Sequence, residues 1–176
     1  LPNIKKYIFL ADGVKMYFEF GGEDQGYPPD RRAGIVGFAL FKPFGLEETV
    51  LRGEYARISP GSVPGCWYVH HSWPMRYDGR VFGHHAGTDS DDIFVEWSQD
   101  IKKFSYKLNY DRERSGIGTQ NNEQTKNQYG AEVGYRFNDN FKVTMQYAYE
   151  DIKNLGYVQD MSRKNHFIGT TVNFDF

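Results

Sequence analysis

Apolar and polar side chains alternate with a period of two in several segments of this chain. The clearest segment covers residues 140 to 150. One set of alternate positions carries Phe141, Val143, Met145, Tyr147 and Tyr149, and the other carries Lys142, Thr144, Gln146, Ala148 and Glu150. Because successive side chains of a β-strand point to opposite faces of the sheet, this pattern predicts a strand with one apolar and one polar face.

The same alternation predicts further strands along the chain. It is clear in residues 104–111, 129–137 and 168–176, and weaker in residues 14–21, 50–57 and 92–98. Residues 34–42 are apolar at nearly every position, so their inward face is not assigned. We therefore predict an all-β, antiparallel protein with eight strands. Residues 4–10, followed by a turn at 11–13, read as the end of a ninth.

Two classes of all-β protein alternate in this way. A soluble β-sandwich would use the aromatic face as its core, whereas a transmembrane β-barrel would turn that face to lipid. Aromatic residues form 17 % of the 176 residues, which is high for a soluble domain. No run approaches the roughly 18 consecutive apolar residues of a membrane-spanning helix, so a helical membrane protein is excluded.

The lengths of the predicted connections favour the barrel. Short connections cover residues 43–49, 99–103 and 138–140, and long polar connections cover 21–32, 59–91, 112–127 and 151–165. Outer-membrane barrels have short periplasmic turns and longer extracellular loops. We therefore predict an antiparallel transmembrane β-barrel of the bacterial outer membrane, in contact with its lipid, with the four long loops outside the cell.

The two ends of the chain add two expectations. Phe176, with Phe174 on the same face, resembles the assembly signal of bacterial outer-membrane barrels, which implies the outer-membrane assembly machinery as a partner. Single-chain bacterial barrels have even numbers of strands, and this chain begins at Leu1 without a Met. We therefore expect residues 1–176 to be the C-terminal half of a larger barrel.

Charge and cysteine content exclude several other functions. The formal net charge is −2 with both signs interleaved, so nucleic acid is not an expected partner. The lone Cys66 has no second cysteine for a disulfide or a thiolate metal site. We predict no cofactor.

The polar face carries charges of both signs, and we predict that it lines the lumen of the barrel. Its main charged residues are Arg52, Glu54, Glu96, Lys107, Glu132, Arg136, Lys142 and Glu150. They could compensate one another as cross-strand ion pairs in a filled barrel. They could equally line a polar conduit with weak ion selectivity.

Residues 59–91 concentrate aromatic rings and histidines. Ring faces stack on sugars, and Arg, His and carboxylate groups fix a sugar by hydrogen bonds. The candidate glycan-binding residues are Trp67, Tyr68, His70, Trp73, Arg76, Tyr77, His84 and Asp89. Alternatively, the rings pack against one another and fold the loop over the barrel mouth.

Histidines and aspartates in and just after this loop also suggest a metal site or a hydrolase, and they are His70, His71, His84, His85, Asp89, Asp91 and Asp92. Adjacent histidines such as His84 and His85 point apart in an extended chain, and no helical spacing joins the group, so we predict no metal. Ser72 beside His71 lacks a recognisable base, orienting group and oxyanion hole. We therefore predict no catalytic residues and no enzymatic activity.

Two stretches resemble the Wzi family of capsule-assembly outer-membrane proteins. The first covers residues 16–24, with the sequence MYFEFGGED. In the second, an aromatic-plus-glycine segment leads into Gly-His, Gly and Asp, and the matching positions are Tyr77, Gly79, Gly83, His84, Gly87 and Asp89. The resemblance implies a barrel of about 18 strands, within the known size range. It also implies a surface lectin that holds capsular polysaccharide at the cell surface; a porin-like diffusion channel for small polar solutes is the alternative.

Overall fold

The computed structural model describes residues 11–22, 32–58 and 84–174, together with the backbone of residues 76–77 and 80–81. Ten strands lie in these ranges: β1 (Gly13–Gly22), β2 (Arg32–Phe41), β3 (Thr49–Arg57), β4 (Arg76–Tyr77), β5 (Arg80–Val81), β6 (Ser90–Ile101), β7 (Phe104–Ser115), β8 (Gln124–Asn138), β9 (Phe141–Lys153) and β10 (Ser162–Phe174). Short 3-10 turns cover Pro43–Gly45 and Leu155–Tyr157.

None of the helical segments in these ranges has the length and apolar character needed to cross a membrane.

Eight of the strands form one antiparallel sheet in the order β1-β2-β3-β6-β7-β8-β9-β10. The remaining two, β4 and β5, pair with each other in the connection between β3 and β6. The all-β, antiparallel prediction is confirmed. Among the described strands the sheet is open, with β1 and β10 at its edges, and the predicted ninth strand at residues 4–10 lies outside the described residues. Closure of a barrel stays a prediction.

The register carries one apolar face across the whole sheet. Phe38 on β2 lies opposite Met16 on β1 and Gly53 on β3. On β7, Leu108 lies between Trp97 and Ala131 in the same way. The side chains predicted to share a face do share it. The register also assigns residues 34–41, since Gly34, Val36, Phe38 and Leu40 lie in line with this face.

This apolar face is open rather than packed. Ile168 is 81 % exposed, Met16 is 74 % exposed and Met145 is 61 % exposed. Among the described residues no second sheet lies against it, so the β-sandwich has no counterpart here. Burial of apolar side chains is the main stabilising term in folding. A face with this many exposed apolar side chains is therefore expected to lie against an apolar surface that is not part of the described sheet.

Aromatic rings form two rows on the apolar face. Near the short turns, contacts run from Phe104 to Tyr135, Phe137, Phe141 and Phe174, with ring centroids 4.7 to 6.1 Å apart. Near the long loops, contacts run from Tyr110 to Tyr129, Tyr149 and His166, with centroids 5.1 to 6.3 Å apart. At the rise of a strand, Phe104 and Tyr110 are about 20 Å apart along β7, and Phe141 and Tyr149 are about 27 Å apart along β9.

The strands extend further toward the long loops than the sequence predicts. The connection between β7 and β8 covers residues 116–123, and the connection between β9 and β10 covers residues 154–161. Both are shorter than predicted because strand pairing continues beyond the apolar face. There polar residues occupy both faces and the alternation in the sequence disappears.

One predicted difference in loop length was therefore overstated. The turn between β2 and β3 covers residues 42–48, nearly as many as the two shortened loops. The other turns at that edge remain short, at residues 102–103 and 139–140. The contrast between the two edges holds for these two turns and for the long connection from β3 to β6.

Candidate functional site

A tight turn before β6 folds the chain back onto the polar face. The N–H of Gly87 donates to the carbonyl of His84 at 3.0 Å, and the Ser90 hydroxyl donates to the carbonyl of Gly87 at 2.8 Å. Gly87 has a φ of 78°, a conformation that glycine adopts without strain. The turn brings the rings of His84 and His85 together, with centroids 4.3 Å apart.

Three strands supply carboxylates that meet these rings: Glu54 from β3, Asp92 from β6 and Asp111 from β7. His84 Nε2 lies 3.7 Å from Glu54 Oε1 and 3.7 Å from Asp92 Oδ2. His85 Nε2 lies 3.1 Å from Asp92 Oδ2 and 3.8 Å from Asp111 Oδ2. We call these five residues the His-carboxylate cluster.

The cluster is buried around Asp92 and His84, is open at His85, and holds polar atoms without hydrogen bonds. The side chain of Asp92 is 2 % exposed and that of His84 is 10 % exposed. Within the part of the chain that the structure describes, His84 Nε2, Asp92 Oδ1 and Asp111 Oδ1 have no hydrogen-bond partner. Buried polar atoms are nearly always hydrogen-bonded. Three buried polar atoms without partners in one cluster therefore indicate that the cluster can bind a ligand.

A tyrosine from the edge strand supports one side of the cluster. The Tyr17 hydroxyl donates a hydrogen bond to Glu54 Oε2. Tyr17 reaches Glu54 by lying over Gly37 of the intervening strand, where a Cβ would overlap its ring. The hydrogen bond from Tyr17 to Glu54 therefore requires glycine at position 37.

The two histidines differ in their affinity for protons. Burial lowers the pKa of His84, and the neighbouring His85 lowers it further. The hydrogen bond to Asp92 raises the pKa of His85. Near neutral pH the pair therefore favours a neutral imidazole at His84 and a more readily protonated one at His85.

Asp89 pins a neighbouring loop to this turn. Its carboxylate accepts hydrogen bonds from Gly118 N at 2.8 Å, Thr119 N at 3.0 Å and Thr119 Oγ1 at 2.5 Å. Asp89 is 4 % exposed and has a φ of 54°. A buried carboxylate that already holds three donors has little left for a sugar hydroxyl, so this geometry favours a structural role for Asp89.

The charged residues predicted to line a lumen all lie on the polar face by register. Arg52 and Glu96 lie directly opposite each other, 3.6 Å apart. Glu150 accepts a hydrogen bond from Asn165 at 2.6 Å. Nearby, Lys126 and Glu113 form a further pair at 2.6 Å, which the sequence analysis missed.

The predicted glycan-binding residues fall into three groups. His84 and Asp89 lie in or beside the buried cluster. Arg76 and Tyr77 form β4, of which the backbone alone is described. The remaining four, Trp67, Tyr68, His70 and Trp73, lie outside the described residues, so their role stays a prediction. Phe176 of the predicted assembly signal lies outside them as well.

One premise of the sequence analysis was wrong. Adjacent histidines were expected to point apart, but His84 and His85 lie in a turn that brings their rings into contact. From the sequence, His85 and Asp92 are considered as metal ligands and set aside on that premise, and Tyr17 is assigned to no site. The signal that could have found Glu54 and Asp111 was their position on the polar face near the long-loop edge.

One of the comparisons with known proteins finds a match. The family model of the capsule assembly protein Wzi matches residues 6–167. No curated protein and no solved structure matches the chain. The match covers most of the sequence, so the chain belongs to the Wzi family of capsule assembly proteins.

Proposed function

We propose that this chain forms part of a bacterial outer-membrane β-barrel that binds capsular polysaccharide and helps attach it to the cell surface, without catalysing a reaction. Its family membership supports a role in capsule assembly. The observation that carries the membrane part of the proposal is the apolar face with its two rows of rings. Their separation along the strands is about 20 to 27 Å, which at a strand tilt of about 35 to 45° corresponds to about 14 to 22 Å across the membrane. This is somewhat less than the roughly 25 Å height of the apolar band that aromatic girdles flank in outer-membrane barrels.

The orientation follows from the same face. If the rows of rings lie at the two membrane interfaces, the turns at 102–103 and 139–140 lie on one side and the long connection from β3 to β6 on the other. We assign the long connection to the outside of the cell. An epitope inserted at 154–161 should then be accessible on intact cells, and one inserted at 139–140 should not. The reverse result would contradict this orientation.

The test of function is capsule retention. Cells that lack the protein should release capsular polysaccharide into the medium, and cells that carry the full-length protein should keep it on their surface. The purified protein in detergent should bind the same polysaccharide without changing its chain length. Shortening of the polysaccharide during incubation would contradict the non-catalytic assignment.

Sugar binding is expected to depend on the aromatic side chains of the long connection. Replacing Trp67, Trp73 or Tyr77 by alanine should weaken polysaccharide binding by roughly tenfold to a hundredfold, because each stacked ring covers apolar area. Phe44→Ala is the matched control, since Phe44 is 68 % exposed on the opposite edge. Unchanged binding in all three variants would place the sugar site elsewhere. Limited proteolysis of the same variants separates lost binding from a loosened loop.

The porin-like alternative makes a different prediction. The polar face carries charges of both signs, which would also suit the lining of a weakly selective conduit. A porin would conduct ions steadily in planar bilayers and ignore the polysaccharide. A capsule-binding barrel should bind the polysaccharide and conduct little.

A further inference from the structure

We propose that the His-carboxylate cluster binds a divalent transition-metal cation, of which Zn²⁺ is the representative, with His84 Nε2, His85 Nε2 and Asp92 Oδ2 as ligands. This site goes beyond capsule binding. It concerns a partly buried group of side chains on the polar face.

The spacing of the donor atoms fits one small cation. Zn²⁺ is bound tetrahedrally at about 2.0 to 2.2 Å, which puts neighbouring ligand atoms about 3.3 Å apart. His85 Nε2 and Asp92 Oδ2 are 3.1 Å apart, and His84 Nε2 and Asp92 Oδ2 are 3.7 Å apart. The three donor atoms all lie within 4.8 Å of one another. Small side-chain movements would therefore bring them around a common centre.

A fourth ligand is at hand on either side. Asp111 Oδ2 lies 3.8 Å from His85 Nε2, and Glu54 Oε1 lies 3.7 Å from His84 Nε2. The hydrogen bond from Tyr17 fixes the other oxygen of Glu54, as outer partners commonly do for metal ligands. Either carboxylate, or a water molecule, could complete a four-coordinate site.

Burial and charge also point to a cation. His84 Nε2 faces two carboxylates. Within the described residues, neither His84 Nε2 nor Asp92 Oδ1 has a hydrogen-bond partner. The carboxyl groups of Asp92 and Asp111 both lie beside His85 Nε2, at 3.1 and 3.8 Å. Two carboxylates so close together repel each other unless a proton or a cation lies with them.

The donor types select the class of metal. Imidazole nitrogens suit Zn²⁺ and its transition-metal neighbours, whereas Ca²⁺ takes six to eight oxygen ligands. Metal binding at Nε2 of His84 would leave the proton on Nδ1 and give up a long contact from Ala86 N, which is 3.3 Å away. In return, the cation would join the turn to β6, and a carboxylate in the fourth position would add either β3 or β7.

Isothermal titration calorimetry tests this site. The full-length protein in detergent is stripped with EDTA, dialysed and titrated with ZnCl₂, CaCl₂ and MgCl₂ in turn. We expect one Zn²⁺ per chain and no comparable heat from Ca²⁺ or Mg²⁺. Co²⁺ loading should give the intense visible absorption of a tetrahedral site.

Two variants and one control keep the test decisive. Asp92→Asn and His85→Gln should each weaken Zn²⁺ binding by about 100-fold or more. Loss of a group that only hydrogen-bonds a metal ligand already weakens binding by about 10- to 100-fold, and these variants remove a ligand itself. His85 is 55 % exposed, so its replacement should leave folding intact even if Asp92→Asn does not fold. His166→Gln removes a histidine from the opposite face and should bind Zn²⁺ as the parent protein does. Absence of Zn²⁺ binding, or binding that His85→Gln leaves unchanged, would overturn the proposal.

Discussion

The two faces of this sheet are built from the same strands, yet they hold their side chains in different ways. On the apolar face Ile168, Met145 and Val172 are more than half exposed. On the polar face Asp92 and Thr144 are buried, although their strands have no second layer of described sheet over them. His84 and His85 of the turn before β6 lie against Asp92.

The two faces therefore place different requirements on their side chains. The apolar face needs hydrophobic character at alternate positions, and several side chains could serve at each one. The polar face needs particular partners, because a buried charge without one is strongly destabilising. Substitutions on the apolar face should therefore act through polarity, and substitutions on the polar face through lost contacts.

The largest effect is expected from a charge on the apolar face. Met145→Arg should lower the free energy of unfolding in lipid vesicles by about 2 to 4 kcal/mol, since it places a charge near the middle of the proposed membrane band. Gln146→Arg is the matched control, because Gln146 is exposed on the polar face and lies opposite Glu132. Denaturant unfolding in vesicles measures both. Equal losses would mean that the two faces have the same surroundings.

Removing the Asp89 carboxylate should be nearly as costly. Asp89→Ala should lower the free energy of unfolding by about 2 to 3 kcal/mol, because it removes the three hydrogen bonds that Gly118 and Thr119 donate to this charged group. Proteolysis within residues 116–123 should become faster. Asp160→Ala is the control, since Asp160 is exposed with a similar φ of 61°. If Asp89→Ala instead weakens polysaccharide binding and leaves stability unchanged, Asp89 is a sugar ligand.

A methyl group at position 37 should disturb the polar face. Gly37→Ala would displace the ring of Tyr17 from its hydrogen bond with Glu54, with an expected loss of about 1 to 3 kcal/mol in unfolding free energy. Gly34→Ala on the same strand meets its nearest atom, the Glu19 carbonyl oxygen, at 3.6 Å and should have little effect. Adding Tyr17→Phe to Gly37→Ala should cost little more. Full additivity of the two changes would show that they act separately.

The smallest effect is expected at the Arg52–Glu96 pair. The Arg52 side chain is 53 % exposed, so solvent screens the interaction. A double-mutant cycle with Arg52→Gln and Glu96→Gln should give a coupling of at most about 1 kcal/mol. A coupling of several kcal/mol would mean that this part of the polar face is sealed from water.

The sequence by itself determined which side chains share a face. Alternation is a local property of an extended chain, so Phe141 to Tyr149 could be assigned to one face without knowing their neighbours. It also indicated the turns at 102–103 and 139–140. It did not determine the ends of β7 and β8, because residues such as Arg112 and Lys126 are polar on either face where pairing continues beyond the apolar band.

Only the tertiary structure decided which polar residues meet. Glu54, Asp92 and Asp111 come from three strands, and the register of two strand pairs, β3 with β6 and β6 with β7, sets their distances. The turn at Gly87 then adds His84 and His85, against the expectation for an extended chain. Alternation assigns a residue to a face, but its position across the sheet depends on pairing with other strands. The site is therefore a property of the register rather than of any one segment.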